Sequence, residues 1–132
     1  MKNKTVVILI FLKDAKILTE KRSMIDFASP QYLIPGGTVE DKETAEETVI
    51  REAYEELGIK ISKFKPLPYK NKIQGLKKQT LLPFLIEEWI GDFPEIILDK
   101  GTPLFWVSLD EAFSSEVQPT REIITALKNH LL

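Results

Sequence analysis

Three glutamates and one arginine within six residues carry the chemical interest of this chain. Arg51, Glu52, Glu55 and Glu56 stand together in the run REAYEE, and Glu43 precedes them. On a helix, Glu52 and Glu56 are four apart and Glu52 and Glu55 three apart. That spacing puts all three carboxylates on one face near the helix C-terminus, where the backbone dipole also disfavours anions. At about 5 Å and an effective dielectric of about 20, each such pair repels by roughly 3 kcal/mol. A hard divalent cation relieves this repulsion, because Mg²⁺ takes carboxylate oxygens and keeps further positions for water and phosphate. A solvated acidic face balanced by nearby lysines is the other reading, and composition alone leaves both open.

The elements that must position these groups are legible around them. Thr44 followed by Glu47 fits a capping box, and Gly58 is suited to the left-handed residue that follows a last helical turn. A helix over Ala45–Leu57 results, about 20 Å long. On its wheel Val49, Ala53, Leu57, Ile50 and Tyr54 form the apolar arc expected to be buried, and Glu56 projects into the edge of that arc between Ala45 and Val49. Glu46 also falls inside the arc, but in the first turn, where an acid suits the dipole and is solvated.

Before the helix, residues 5–12 (TVVILIFL) and 16–22 (KILTEKR) read as a two-strand hairpin around Lys13-Asp14-Ala15, and 31–34 as a short strand stopped by Pro35-Gly36-Gly37. After it, 61–74 and 77–90 read as a strand pair around Gly75, 91–103 as a loop and 104–107 as a strand. Ser108-Leu109-Asp110-Glu111 opens a short helix, and Pro119-Thr120-Arg121-Glu122 opens the last one, with Ile123, Ile124 and Leu127 on one face. The 132 residues, 43% of them hydrophobic, suffice for a single core, so residues 1–132 are expected to form one domain of mixed α/β (α+β) class.

Composition excludes several kinds of chemistry. The chain has no cysteine, hence no thiol nucleophile, disulfide or Cys-ligated metal, and it suits a reducing cytosol. Its one histidine, His130, lies near the C-terminus and reads as a surface residue. The longest apolar run, 5–12, is too short to span a bilayer and has no signal-peptide cleavage pattern. The net charge of −2 hides a segregation: residues 40–56 hold eight acids and two bases, and residues 60–80 hold seven lysines (60, 63, 65, 70, 72, 77, 78) and no acid. Such lysines serve either to steer an anionic substrate or to protect an exposed strand edge.

The full pattern around the helix is Gly37, five residues, Glu43, seven residues, then Arg51-Glu52-Ala53-Tyr54-Glu55-Glu56-Leu57-Gly58-Ile59. It resembles the signature of the Nudix hydrolase superfamily, G-x5-E-x7-R-E-U-x-E-E-x-G-U with U a bulky apolar residue. All seven fixed identities are present, and Ala53, smaller than the usual aliphatic, is the one soft departure. Leu33-Ile34-Pro35-Gly36-Gly37 before the box, and Phe105-Trp106-Val107-Ser108-Leu109 with Asp110-Glu111 after it, are similar to the flanking segments of compact MutT-like members. The resemblance therefore covers essentially the whole chain, and it implies an α/β/α sandwich with a mixed central sheet.

It also implies roles. Glu52, Glu55, Glu56 and the backbone carbonyl of Gly36 would ligate Mg²⁺, with Mn²⁺ as a substitute, and Glu56 is the strongest of these choices. Glu43 and Arg51 would pair to orient the helix. The general base is expected at Asp99, with Glu95 or a box glutamate as alternatives, because Lys100 stands where MutT-like relatives carry a glutamate. Arg22, with its neighbour Lys21, would meet substrate phosphate. Thr120 stands where relatives selective for oxidised guanine carry an asparagine. Phe27, Tyr32, Phe84 and Trp106 are candidates for base stacking, with core packing the expected role of the last two.

The implied activity is metal-dependent hydrolysis of a nucleoside diphosphate derivative, first of all a (d)NTP giving a nucleoside monophosphate and pyrophosphate. The alternatives are another nucleoside diphosphate-X such as a nucleotide sugar, dinucleoside polyphosphate or capped RNA, or a ligand-binding module without turnover. The expected partner is a small-molecule nucleotide, with no membrane and no stable nucleic-acid partner, in a cytoplasmic monomer or homodimer.

Overall fold

Alternate side chains of the first strand enter two separate cores, which explains why its sequence is a continuous apolar run. The computed structural model describes residues 4–69, 71 and 79–132. In β1 (Lys4–Lys13), Val7, Leu9 and Phe11 pack with Val49, Ala53 and Leu57 of α1 (Ala45–Leu57). On the opposite face Ile10 packs with Ile123, Ile124 and Leu127 of the last helix. A strand covered on both faces has no solvent side, so its hydrophobic pattern does not alternate.

Asp14 and Ala15, at φ 52° and 61°, turn the chain into β2 (Lys16–Arg22). Two positive φ values in succession are the turn whose twist matches that of the strands it joins. There follow β3 (Gln31–Leu33), β4 (Gly36–Thr38), α1, β5 (Lys60–Pro66), β6 (Gln79–Ile90) and β7 (Leu104–Ser108). Two helices end the fold, α2 (Leu109–Phe113) and α3 (Gln118–Leu131). The strand order is β3-β2-β1-β6-β5, with β4 also on β1 and β7 also on β2. β1 and β6 run parallel and the remaining pairs are antiparallel. This mixed sheet, with α1 on one face and α2 and α3 on the other, is the expected α/β/α sandwich.

The sheet divides between β1 and β2. These strands pair only beside their turn, at Leu12↔Ile17 and Lys13↔Lys16. Farther along, β4 takes the free edge of β1, while β2 turns to β3 and β7. The Pro35-Gly36-Gly37 segment is thus not only the stop that the sequence predicts, because Gly36–Thr38 itself forms a strand. Glycine makes this possible, since a side-chain carbon at Gly36 would overlap the carbonyl oxygen of Val7.

Two other expectations are corrected. The strand begun at Lys60 ends at Pro66, and Leu67 instead donates its N–H to Pro83 O at 2.9 Å. Pro66 and Pro68 have no N–H to continue a ladder. The proposed turn at Gly75 and residues 77 and 78 lie outside the described residues, and the second strand is described over Gln79–Ile90. On α1, Ile50 and Tyr54 are 47% and 70% exposed, whereas Thr48 and Glu56 are buried. The helix is rolled so that its carboxylate side meets the sheet. Among the described residues no helix is long and apolar enough to cross a membrane.

Candidate active site

Helix α1 is fixed at both ends before any charge interaction is counted. Thr44 Oγ1 accepts from Glu47 N at 3.1 Å, and Glu47 Oε1 accepts from Thr44 N at 2.9 Å, completing the capping box. Gly58 ends the helix at φ 66°. Arg51 then ties the helix to its surroundings. Its Nε and one terminal nitrogen donate to the two oxygens of Glu43 at 2.7 and 2.9 Å, and the same terminal nitrogen reaches Thr38 O at 3.1 Å. The other terminal nitrogen donates to Glu52 Oε1 at 3.0 Å and Glu55 Oε2 at 3.1 Å. One guanidinium therefore joins β4, the loop before the helix, and two glutamates of the box. Arg51 and the Thr48 hydroxyl hold the Glu43 carboxyl down to about 2, and Glu43 in turn stabilises the charged guanidinium.

The three clustered glutamates are treated differently. Glu55 lies outermost, its side chain 54% exposed. Glu52 rests against Gly37, where a side-chain carbon would overlap its carboxylate. Glu56 is 2% exposed, and its Oε1 has no hydrogen-bond partner, while its Oε2 lies 3.5 Å from Lys100 Nζ. Burial pushes the Glu56 carboxyl up to about 8; Lys100 opposes the rise, and Glu52 and Asp99 add to it. A buried carboxylate oxygen without a partner is costly, and either a proton or a bound cation relieves that cost.

These residues fit a hard divalent cation in their chemistry: Glu52 and Glu56 offer adjacent oxygens, and Gly36 lines the same cleft. Among the described residues no three acidic or histidine side chains already converge on one point, because Glu55 is turned to Arg51. Mg²⁺ does not require such a cage, since it binds through one or two carboxylates and completes its shell with water and substrate phosphate.

The cleft beside Glu56 measures about 270 Å³ and opens where β1 and β2 part. Its lining includes the charged residues Glu20, Arg22, Glu56 and Lys100, the glycines Gly36 and Gly37, and the apolar residues Val6, Ile8, Leu81, Val117 and Pro119. The structure brings Arg22 to this cleft but not Lys21. Successive residues of a strand point to opposite faces, and Lys21 Nζ lies over the rings of Tyr32 at 5.5 Å and Phe105 at 5.9 Å. Tyr32 donates its hydroxyl to Glu111 Oε2 at 2.8 Å, and neither Tyr32 nor Phe27 lines the cleft. Thr120 is buried and donates its hydroxyl to Tyr32 O at 3.1 Å, so that group is already engaged. Phe84 is buried in the core, and Trp106 packs against it.

The loop over residues 91–103 is docked on the end of α1, with Leu98 N donating to Glu56 O at 2.9 Å. It brings Asp99 and Lys100 toward Glu56, whereas Glu95 is exposed and its carbonyl accepts from Leu104 N at 2.9 Å. Of the lysine run, Lys60, Lys63 and Lys65 lie on β5, and the latter two are each 4.0 Å from Glu87, away from the cleft. Lys70, Lys72, Lys77 and Lys78 lie outside the described residues.

Glu20 is the residue that sequence reasoning missed. It is 3% exposed, receives a hydrogen bond from Thr102 Oγ1 at 3.1 Å, and forms an ion pair with Arg22. The available signal was its phase: Glu20 shares the face of β2 used by buried Leu18 and by Arg22, and an acid at such a position needs partners.

A model of the NUDIX domain matches residues 1–127. An 8-oxo-dGTP diphosphatase of Buchnera aphidicola subsp. Schizaphis graminum is 32% identical over 111 residues, 84% of this chain and 82% of that one. The Escherichia coli protein of the same name is 35% identical over 95 residues, 70% of this chain and 69% of its own. Among solved structures, a MutT NUDIX hydrolase from Burkholderia pseudomallei superposes with a TM-score of 0.80 at 22% identity, covering 96% of this chain and 99% of that one. A NUDIX hydrolase from Nitrosomonas europaea does so with a TM-score of 0.73 at 18% identity, covering 98% and 90%. At these identities the structural likeness speaks for the fold.

Proposed function

The chain belongs to the NUDIX family, and from that premise we propose that it is a Mg²⁺-dependent nucleoside triphosphate pyrophosphohydrolase releasing a nucleoside monophosphate and pyrophosphate. It is a hydrolase acting on phosphoric anhydrides. The observation that carries the finer reading is the unpartnered Glu56 oxygen, buried next to Glu52 beside a cleft that also holds Arg22. A carboxylate pair suits a divalent cation, and a guanidinium beside it suits a polyphosphate.

When bound, the cation offsets phosphate charge and makes a water acidic enough to attack phosphorus at neutral pH. The residues of the chain do the rest. Glu52 and Glu56 would hold the cation, together with the Gly36 carbonyl and with Glu55 once that side chain turns from Arg51. Arg51 and Glu43 keep the helix and its carboxylates aimed. Arg22 meets the phosphate chain. Asp99, on the docked loop and close enough to Glu56 to raise its pKa, takes the proton of the attacking water in preference to Glu95, which is not among the groups that act on Glu56. The water oxygen joins phosphorus as the bridging oxygen leaves with the departing group. The apolar walls receive the nucleoside. Both named relatives carry the name 8-oxo-dGTP diphosphatase, but Thr120 has committed its hydroxyl to the backbone, so the reading extends to (d)NTPs generally. A substrate drawn from the free nucleotide pool fits a cytoplasmic location.

The test is release of pyrophosphate or phosphate from ordinary, methylated and oxidised (d)NTPs, ADP-ribose, dinucleoside polyphosphates and capped RNA, with Mg²⁺ and with EDTA. Turnover of one or more (d)NTPs to monophosphate, abolished by EDTA and by Glu56→Gln, is the expected result. Turnover that survives either treatment overturns the mechanism. Turnover confined to another member reassigns the substrate, and none on any member points to a binding module.

A further inference from the structure

The two oxygens of Glu56 have different surroundings. Oε1 is buried with no partner, and Oε2 faces the Lys100 ammonium at 3.5 Å. That separation exceeds the 2.7–2.9 Å of a charge-assisted hydrogen bond, so the pair is held by charge and not by a directional bond. The two side chains are also unequally placed: the carboxylate of Glu56 is 3% exposed and Lys100 is 47% exposed. Lys100 therefore reaches inward from solvent toward a buried carboxyl group and favours its ionised form.

The backbone beneath Lys100 is anchored. Lys100 N and Gly101 N both donate to Ile97 O, at 3.3 and 2.8 Å, and Leu98 N donates to Glu56 O at 2.9 Å. The four-carbon stem keeps its own rotational freedom above that anchor. The other cations near the cluster have different anions, since Arg22 pairs with Glu20 and Arg51 with Glu43, Glu52 and Glu55. Lys100 and Arg22 line the same cleft, which places the ammonium within reach of whatever Arg22 binds.

We propose that Lys100 is an exchangeable counter-ion: its ammonium holds the place of the divalent cation at Glu56 until the cation arrives, and then transfers to the substrate phosphates in the same cleft. The inference rests on the reading that Glu56 is a cation ligand. A divalent ion and an ammonium cannot both lie against one carboxylate without strong repulsion, so one must leave. The displaced ammonium finds a new anion in the polyphosphate, and this makes cation and nucleotide each favour the binding of the other. Lys100 thus sets the order and the coupling of binding, a role that a carboxylate at the same position would reverse.

Binding measurements test this without turnover. Mn²⁺ is titrated into wild type, Lys100→Met and Lys100→Arg by electron paramagnetic resonance of the free ion, and an α,β-methylene nucleoside triphosphate is then titrated at saturating Mg²⁺. Lys100→Met should bind Mn²⁺ roughly tenfold more tightly in the absence of nucleotide, and the analogue roughly tenfold more weakly in its presence. Lys100→Arg should stay close to wild type in both. Lys63→Met, on β5 away from the cleft, should change neither, and thermal melting confirms that each variant is folded. If wild type binds Mn²⁺ but Lys100→Met binds it no more tightly, or binds the analogue as well as wild type does, the exchange is wrong and the proposed function stands. If wild type binds no divalent ion, both fall.

Discussion

Gly37 leaves the space that the carboxylate of Glu52 occupies: a side-chain carbon on Gly37 would overlap the carboxyl group. Strand β4 and helix α1 are thus in register at the site through one absent side chain. The fixed glycine of the box has a steric reason here that involves no turn, since positive φ among the described glycines occurs at Gly58, Gly91 and Gly101 instead.

Gly37→Ala should therefore injure the site more than the fold. The methyl must push Glu52 aside, and Glu52 is a flexible side chain that can yield. We expect kcat to fall by about 100-fold, as for other small misplacements of catalytic groups. The thermal midpoint should move by only a few degrees. Steady-state kinetics beside melting curves separates the two, and a variant with full kcat would show that the position of Glu52 is immaterial.

Arg51→Lys should damage both. Lysine keeps the charge but cannot donate two parallel bonds to Glu43 while reaching Thr38 O and Glu52. A loss of roughly 5 °C in melting midpoint is expected for a domain of this size. Acid sensitivity gives a second readout. Glu43 is held near 2 against an ordinary value of 4.5, so its contribution to stability is present above 4.5 and is lost as pH falls toward 2. In Arg51→Lys the folded-state pKa of Glu43 should rise toward 4.5, so the acid loss should still begin near 4.5 but be smaller and complete at a higher pH, which urea midpoints between pH 2 and 6 would reveal.

Much of α1 is legible in the sequence because its determinants are local. Thr44 and Glu47 cap it, Gly58 ends it, and the spacing of Glu52 and Glu56 places them on one face. The roll of the helix is not legible, because hydrophobicity favours burying Ile50 and Tyr54 while packing buries Thr48 and Glu56 instead. The division of the sheet is equally hidden: where β1 exchanges β2 for β4 depends on glycines fitting against a distant backbone. The partnerships of Glu56 with Lys100 and of Glu20 with Thr102 join residues far apart in the chain, and no local pattern records them.

The raised pKa of Glu56 fixes the sign of a pH effect in the cation-free protein. Its folded value of about 8 exceeds the ordinary 4.5, so the folded state binds the extra proton. Stability from this group is fully present below 4.5 and is lost as pH rises through about 8. Denaturation in EDTA should thus show stability declining from pH 5 to 9, and Glu56→Gln should flatten that decline. Saturating Mg²⁺ should oppose it, because the cation takes the ionised carboxylate and its affinity rises as the proton leaves. An identical slope in wild type and variant would assign the decline to other groups.

Glu20→Gln isolates the substrate-binding side of the cleft. The substitution preserves shape in a buried position but removes the negative charge that pairs with Arg22. Arg22 then has no charged anchor in β2, and the hydroxyl of Thr102, on the loop that carries Lys100, has a weaker acceptor in β2. Neither residue belongs to the carboxylate cluster of α1. The expected result is a rise in nucleotide KM of about tenfold with kcat changed much less, the signature of lost binding that the ground state and the transition state share. Inhibition by free pyrophosphate should weaken in parallel, because Arg22 acts on the phosphates and not on the base. An equal fall in kcat and kcat/KM would instead place Glu20 among the groups that act only as the bond breaks.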